Sequence, residues 1–108
     1  MIIDNKAAEA RWVTYNEDIE LLVRPFPFSQ GVFDYQDEKA FAKSLWVQFD
    51  YCLQDWKGFQ AETDDGLVDY PFNDENKNFV FSFADDIRRF VIKTSSELSD
   101  EVVKDLGN

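Results

Sequence analysis

The chain has no histidine among its 108 residues. That removes the commonest general base, the usual partner of a serine or cysteine nucleophile, and the commonest metal ligand. Cys52 is the only cysteine, so no intramolecular disulfide and no cysteine-rich metal site can form, and a reducing cytoplasm is the expected setting. No run of 18 apolar residues occurs, and the opening MIIDNKAAEARW lacks the basic start and apolar stretch of a signal peptide. The chain is therefore expected to stay in the cytoplasm and off the membrane. There is no G-x-x-x-x-G-K-[ST] loop and no G-x-G-x-x-G, so nucleotide binding has no support. Asp64, Asp65, Asp69, Asp74 and Glu75 offer oxygen ligands, but the D-x-D-x-D-G series of a calcium loop is missing. No spacing singles out a carboxylate pair for acid–base work. No catalytic residue, cofactor or metal is expected, and the chain reads as a non-enzyme.

Basic residues are scarce as well, 11 against 22 acidic ones, for a formal net charge of −11. Such a field repels polyanions, so neither nucleic acid nor an anionic membrane is an expected partner. The acidity is concentrated: between Asp50 and Glu75 eight acids face one base, Lys57. What the chain has in quantity is rings, eleven Phe, four Tyr and three Trp. Each can bury about 150–250 Å², more than enough for a small core. Rings left over from such a core lie on the surface, where apolar patches mark partner sites. Rings and acids together point to a protein that binds other proteins.

The length predicts a single α+β domain over 1–108, burying roughly 65% of its unfolded surface, with 1–10 as either a flexible N-terminal arm or a first turn of helix and 97–108 as a short C-terminal helix or tail. Runs RWVTY and IELLVRPF flank Asn16-Glu17-Asp18. In the second run Ile19, Leu21 and Val23 recur at the period of two that puts one set on a core face. This predicts a hairpin that ends near Arg24, because Pro25 and Pro27 cannot donate ladder bonds. FSQGVFDYQ reads as a connection. Asp37 offers an N-cap for a helix to about Tyr51, with Phe41, Leu45, Gln48 and Phe49 at helical spacing; FDYCL could equally begin a strand. Segments LQDWKGFQ and GLVDYPF flank AETDD with its Asp65-Gly66 turn signal, which predicts a second hairpin or an ordered excursion. Asn73 or Asp74 should start a helix. Phe79, Phe83, Ile87, Phe90 and Val91 then share one helical face, with a break possible near Ser82, although FVFSFA also alternates like a strand. Asp85-Asp86 beside Arg88-Arg89 reads as a solvated charged face. Ser99 is a candidate N-cap for a last helix carrying Val102, Val103 and Leu106 and ended by Gly107. The expected architecture is a small antiparallel β-sheet built from hairpins and packed against about three helices.

The order of these segments resembles that of the tail assembly chaperones of long-tailed bacteriophages and prophages. The residues that carry the resemblance are Val23-Arg24-Pro25 at the exit of the strand pair, the helix with Trp46, Asp55-Trp56-Lys57-Gly58, the acidic turn Asp64-Asp65-Gly66, the helix entry Pro71-Phe72-Asn73-Asp74-Glu75-Asn76, and Arg89-Phe90-Val91-Ile92. It spans roughly 11–98, with the middle third most distinctive. The resemblance implies a non-enzymatic helper in the bacterial host cytoplasm that keeps the tape measure protein soluble and helps bring tail tube subunits around it. Surplus rings would cover the client, in this reading through Trp56, Phe59, Tyr70 and Phe72, with Phe26 and Phe28 next. A homo-oligomer is compatible with those rings. Two other roles fit the same residues: an acidic inhibitor or immunity protein mimicking a nucleic-acid backbone, and a structural component of the virion tail.

Overall fold

Alternating apolar residues set the first strands of the computed structural model, which describes residues 1–30 and 37–104. Strand β1 (Ile2–Ile3) precedes a 3-10 turn at Asn5–Ala8, and β2 (Arg11–Thr14) then pairs antiparallel with β3 (Glu20–Val23), Trp12 opposite Leu22 and Val13 opposite Leu21. The intervening turn is held by the Asn16 side chain, whose Oδ1 accepts from the backbone N–H groups of Asp18 and Ile19, both at 2.9 Å. Leu21 and Val23 point inward with no exposure, as their period requires. Pairing of β2 with β3 stops at Val23, just before the two prolines, as expected.

The Asp37 carboxylate accepts from the Ala40 N–H at 2.8 Å and caps α1 (Glu38–Cys52). This helix passes without a loop into β4 (Leu53–Lys57), which lies along β3 with Leu21 opposite Trp56 and Leu22 opposite Asp55. LQDWK is thus not one arm of a second hairpin. It completes a three-stranded antiparallel sheet in the order β2-β3-β4, because Leu53 and Trp56 are apolar enough to bury against β3 whereas the AETDD segment is not. The second hairpin forms a little further on, with the GLVDYPF run supplying its second arm as expected: β5 (Gln60–Thr63) pairs with β6 (Gly66–Asp69) around Asp64-Asp65. Gly66 there has φ +100°, a left-handed turn conformation that glycine adopts without steric cost.

Asn73 caps α2 (Asp74–Phe83), its Oδ1 accepting from the Asn76 N–H at 2.8 Å. The long helix expected beyond it is two. The break falls at Ala84, near Ser82 as expected: Ala84 leaves helical geometry with φ −95°, ψ 79°, and α3 (Asp85–Val102) follows. The Arg88 guanidinium donates to the Phe81 carbonyl at 2.8 Å, satisfying an end of α2, and its side chain pairs with Asp85, as does that of Arg89 at 3.0 Å. Because α2 ends at Phe83, the five residues expected on one face divide. Ile87 and Val91 are core, Phe90 is half-buried, and Phe79 and Phe83 face solvent.

Ser99 caps no helix. It lies within α3, donates to the Ser95 carbonyl at 2.9 Å and accepts from the Phe26 N–H at 3.2 Å. Val103 begins β7 (Val103–Lys104), which pairs antiparallel with β1, Ile3 opposite Val103. Residues 1–10 are therefore not a free arm. Asp4 caps the 3-10 turn, its N–H donates to the Val102 carbonyl at 2.7 Å, and Ala7 is buried. The part of the FSQGVFDYQ connection at 31–36, and Leu106 and Gly107, lie outside the described residues. One core joins sheet and helices through Leu21, Val23, Phe49, Leu53, Trp56, Val80, Ile87, Val91 and Leu98. Among the described residues no helix is long and apolar enough to cross a membrane.

Candidate functional site

Trp56 holds the centre of the ring cluster that the sequence places at the client surface, and it is only 6% exposed. Its indole N–H donates to the Tyr70 carbonyl at 2.8 Å. Phe59 and Phe72 meet its ring edge-on at 4.8 and 4.9 Å, and Tyr70 stacks nearly parallel at 5.9 Å between centroids. The structure brings these four residues together as expected but corrects the part given to Trp56. Phe59, Tyr70 and Phe72 are half-buried around it, and the cluster ties the end of β4, the foot of the hairpin and the entry to α2 to the core. A side chain sealed by three rings has no face left for a partner.

Phe26 and Phe28 sit elsewhere. Phe26 meets Tyr51 edge-on at 5.8 Å, Phe28 is 84% exposed, and both line a cavity of about 430 Å³ with Pro25, Pro27 and Val102. That cavity shares no lining residue with the surroundings of Phe59 and Tyr70. The six residues thus belong to two separate regions.

The most open aromatic pair among the described residues is one that the sequence placed on a single helical face with Ile87, Phe90 and Val91. Phe79 and Phe83 are 55% and 75% exposed, their rings 4.7 Å apart. They form one wall of a groove of about 570 Å³ whose other wall is the hairpin foot with Phe59, Ala61 and Tyr70. A signal for this was present in FVFSF. Alternate helical positions differ by about 200° around the axis, so Phe81 cannot share a face with Phe79 and Phe83. Phe81 faces inward, against Trp46 at 5.1 Å and Phe49 at 5.3 Å; the flanking pair must face out.

The hairpin continues this wall. Ala61 lies opposite Val68, and the Tyr70 N–H donates to the Phe59 carbonyl at 3.0 Å. By the period of two, Phe59, Ala61, Val68 and Tyr70 share one face and Gln60, Glu62, Leu67 and Asp69 the other. A second depression, of about 470 Å³, shares Phe59, Phe83 and Ala84 with the groove and is lined also by Asp85 and Asp86. Asp85 is neutralised by Arg88 and Arg89; Asp86 has no ion-pair partner among the described residues. The buried cation is Lys77 at the start of α2, which donates to the Asp50 carboxylate at 2.7 Å and to the Asp50 carbonyl at 3.1 Å, fixing α2 to α1.

Cys52 is fully buried, and burial pushes its thiol up to about 11. The thiolate is the nucleophile, so native protein at pH 8 is expected to resist alkylation by iodoacetamide, with modification at Cys52 appearing only in unfolding concentrations of urea. Rapid labelling of the folded chain, read by intact mass, would contradict the burial. An ionisable thiol raised on folding also makes the native state lose stability relative to the unfolded one as pH rises from about 9 towards 11.

No family model matches the chain, and no curated protein or solved structure shows significant similarity to it.

Proposed function

We propose that the chain is a non-enzymatic binding module that covers apolar surface on another polypeptide, and that its role is that of a tail assembly chaperone in the bacterial cytoplasm, with a tape measure protein as client and tail tube protein as the second partner. The observation that carries this reading is the open groove between α2 and the β5–β6 hairpin. Two phenylalanines in contact with each other stand in solvent there, opposite a hairpin face of apolar side chains. A two-stranded hairpin is marginal on its own in water, and cover from a client would stabilise it. The charged remainder of the surface keeps such a pair from clumping. The segment order Asp55-Trp56-Lys57-Gly58, Asp64-Asp65-Gly66 and Pro71-Phe72 supplies the resemblance behind the finer role.

Co-expression with a tape measure protein tests it. The wild-type chain should raise the soluble fraction of the client several-fold, and the double variant F79S/F83S should lose most of that effect while keeping a native circular dichroism spectrum. A double variant that keeps the client soluble would remove the groove from the function. A second reading rests on the hairpin acids Glu62, Asp64, Asp65 and Asp69, which are exposed and form no ion pair among the described residues: an acidic inhibitor of a basic protein. Its complex would weaken steeply with salt, whereas contact through rings persists. Recovery of the chain in purified mature particles would favour a structural tail component.

A further inference from the structure

The apolar groove continues into acidic ground. Its neighbour, lined by Asp85 and Asp86, shares Ile19 with a third depression lined by Asn16, Asp18, Gly58 and Gln60, and Gln60 lines the first groove again. The depressions adjoin one another through these shared residues, ring-walled at the first and bordered by the carboxylates of Asp85, Asp86 and Asp18 towards the acidic end. No lysine or arginine lines any of them. Asp18 and Asp86 make no ion pair among the described residues, so this end presents uncompensated negative charge to whatever fills the groove.

We propose that this surface docks an amphipathic helix of the partner chain whose apolar stripe runs into lysine or arginine residues. The proposal deepens the binding-module reading above and rests on it. The walls argue for a helix: the groove offers side-chain faces, from Phe79 and Phe83 on one side and Ala61 on the other, so its contacts suit a stripe of side chains recurring at helical spacing. The charge argues against a second copy of this chain as the occupant. A copy with net charge −11 would bring its own carboxylates against Asp18 and Asp86, whereas a basic segment is attracted and steered by them.

The test uses three fluorescein-labelled probes of about 20 residues, long enough to hold a helix. The first is a leucine/lysine peptide patterned at helical period, the second has the same composition in strict alternation, and the third is a helical leucine/glutamate peptide. Anisotropy titration should show binding of the first alone. F79S/F83S, or F83S by itself as the milder change, should weaken it by about tenfold or more. D18N/D86N should weaken it by about three- to fivefold and flatten its dependence on salt. Equal binding of the alternating probe would point instead to strand addition along the hairpin edge and overturn the helix assignment; equal binding of the glutamate probe would overturn the charge assignment. Affinity unchanged in F79S/F83S would place the contact on another face. Sedimentation of the chain alone showing a dimer that F79S/F83S dissolves would make a second copy the occupant. If the probes fail while F79S/F83S still loses the client in co-expression, the partner chemistry alone falls; if client solubility survives F79S/F83S, the groove leaves the function and the docking proposal falls with it.

Discussion

Trp56→Ala is expected to lower the unfolding free energy by about 3–5 kcal/mol, the usual cost of emptying a large aromatic site in a core. A domain of this size has about 5–15 kcal/mol in total, so the loss is a large share of it and should lower the urea midpoint markedly. Two effects combine. The indole is the common neighbour of Phe59, Tyr70 and Phe72, and its removal leaves all three facing a cavity. The Tyr70 carbonyl also loses the indole donor at 2.8 Å, an unmet acceptor worth about 1–3 kcal/mol when buried. Trp56→Phe separates the two contributions, since it restores much of the volume and none of the hydrogen bond; a loss of about 1–3 kcal/mol is expected. Urea denaturation followed by circular dichroism measures both. A Trp56→Ala loss below about 1 kcal/mol would mean that the cluster is not part of the core, because surface substitutions rarely exceed about 0.5 kcal/mol.

Gly58→Ala should cost about 3 kcal/mol or more, although it adds one methyl group, because it combines two penalties. Gly58 has φ +95°, where an L-residue carries about 1–2 kcal/mol of steric strain. A Cβ at that position would also lie 1.8 Å from the Asp18 carbonyl oxygen, inside any tolerable contact. The obstacle is backbone, so relief requires the β2–β3 turn to move away from the β4–β5 connection. Gly66 provides the control. It has φ +100° and open space where the Cβ would stand, so Gly66→Ala should carry the backbone strain alone, about 1–2 kcal/mol. Equal losses at the two sites, measured by the same urea titration, would show that the approach to Asp18 contributes nothing.

The contrast between these two glycines marks what could be read from the sequence. Features fixed by neighbours in the chain were legible: the β2–β3 hairpin from its alternation, the caps at Asp37 and Asn73, the turn at Asp64-Asp65-Gly66, and with them the α+β class. Features fixed by distant pairing were not. Nothing within LQDWK says that Leu21 will lie opposite Trp56, and that pairing is what carries Trp56 from an expected rim into the interior. The pairing of Ile3 with Val103, which holds residues expected to be a free arm, is likewise invisible to local pattern. The break at Ala84 has no glycine or proline to fix its place, and together with the inward turn of Phe81 it takes Phe79 and Phe83 off the face shared by Ile87 and Val91. The acidic concentration was legible as composition; that Asp18 and Asp86 line adjoining depressions on either side of Ile19 depends on the folded chain.

The direct passage from α1 into β4 at Cys52 and Leu53 leaves the chain no slack at this point. A residue inserted there would have no slack to absorb it: either the helix turns by about 100° and carries Phe49 out of the interior, or the strand slips by one and presents Leu53 and Trp56 to solvent. Length changes are therefore confined to places such as the tip at Asp64-Asp65, where the hairpin could grow or shrink by whole residue pairs without disturbing anything beneath it. Among descendants of such a chain, the arc from Ser44 to Gly58 should keep its spacing even where its residues drift.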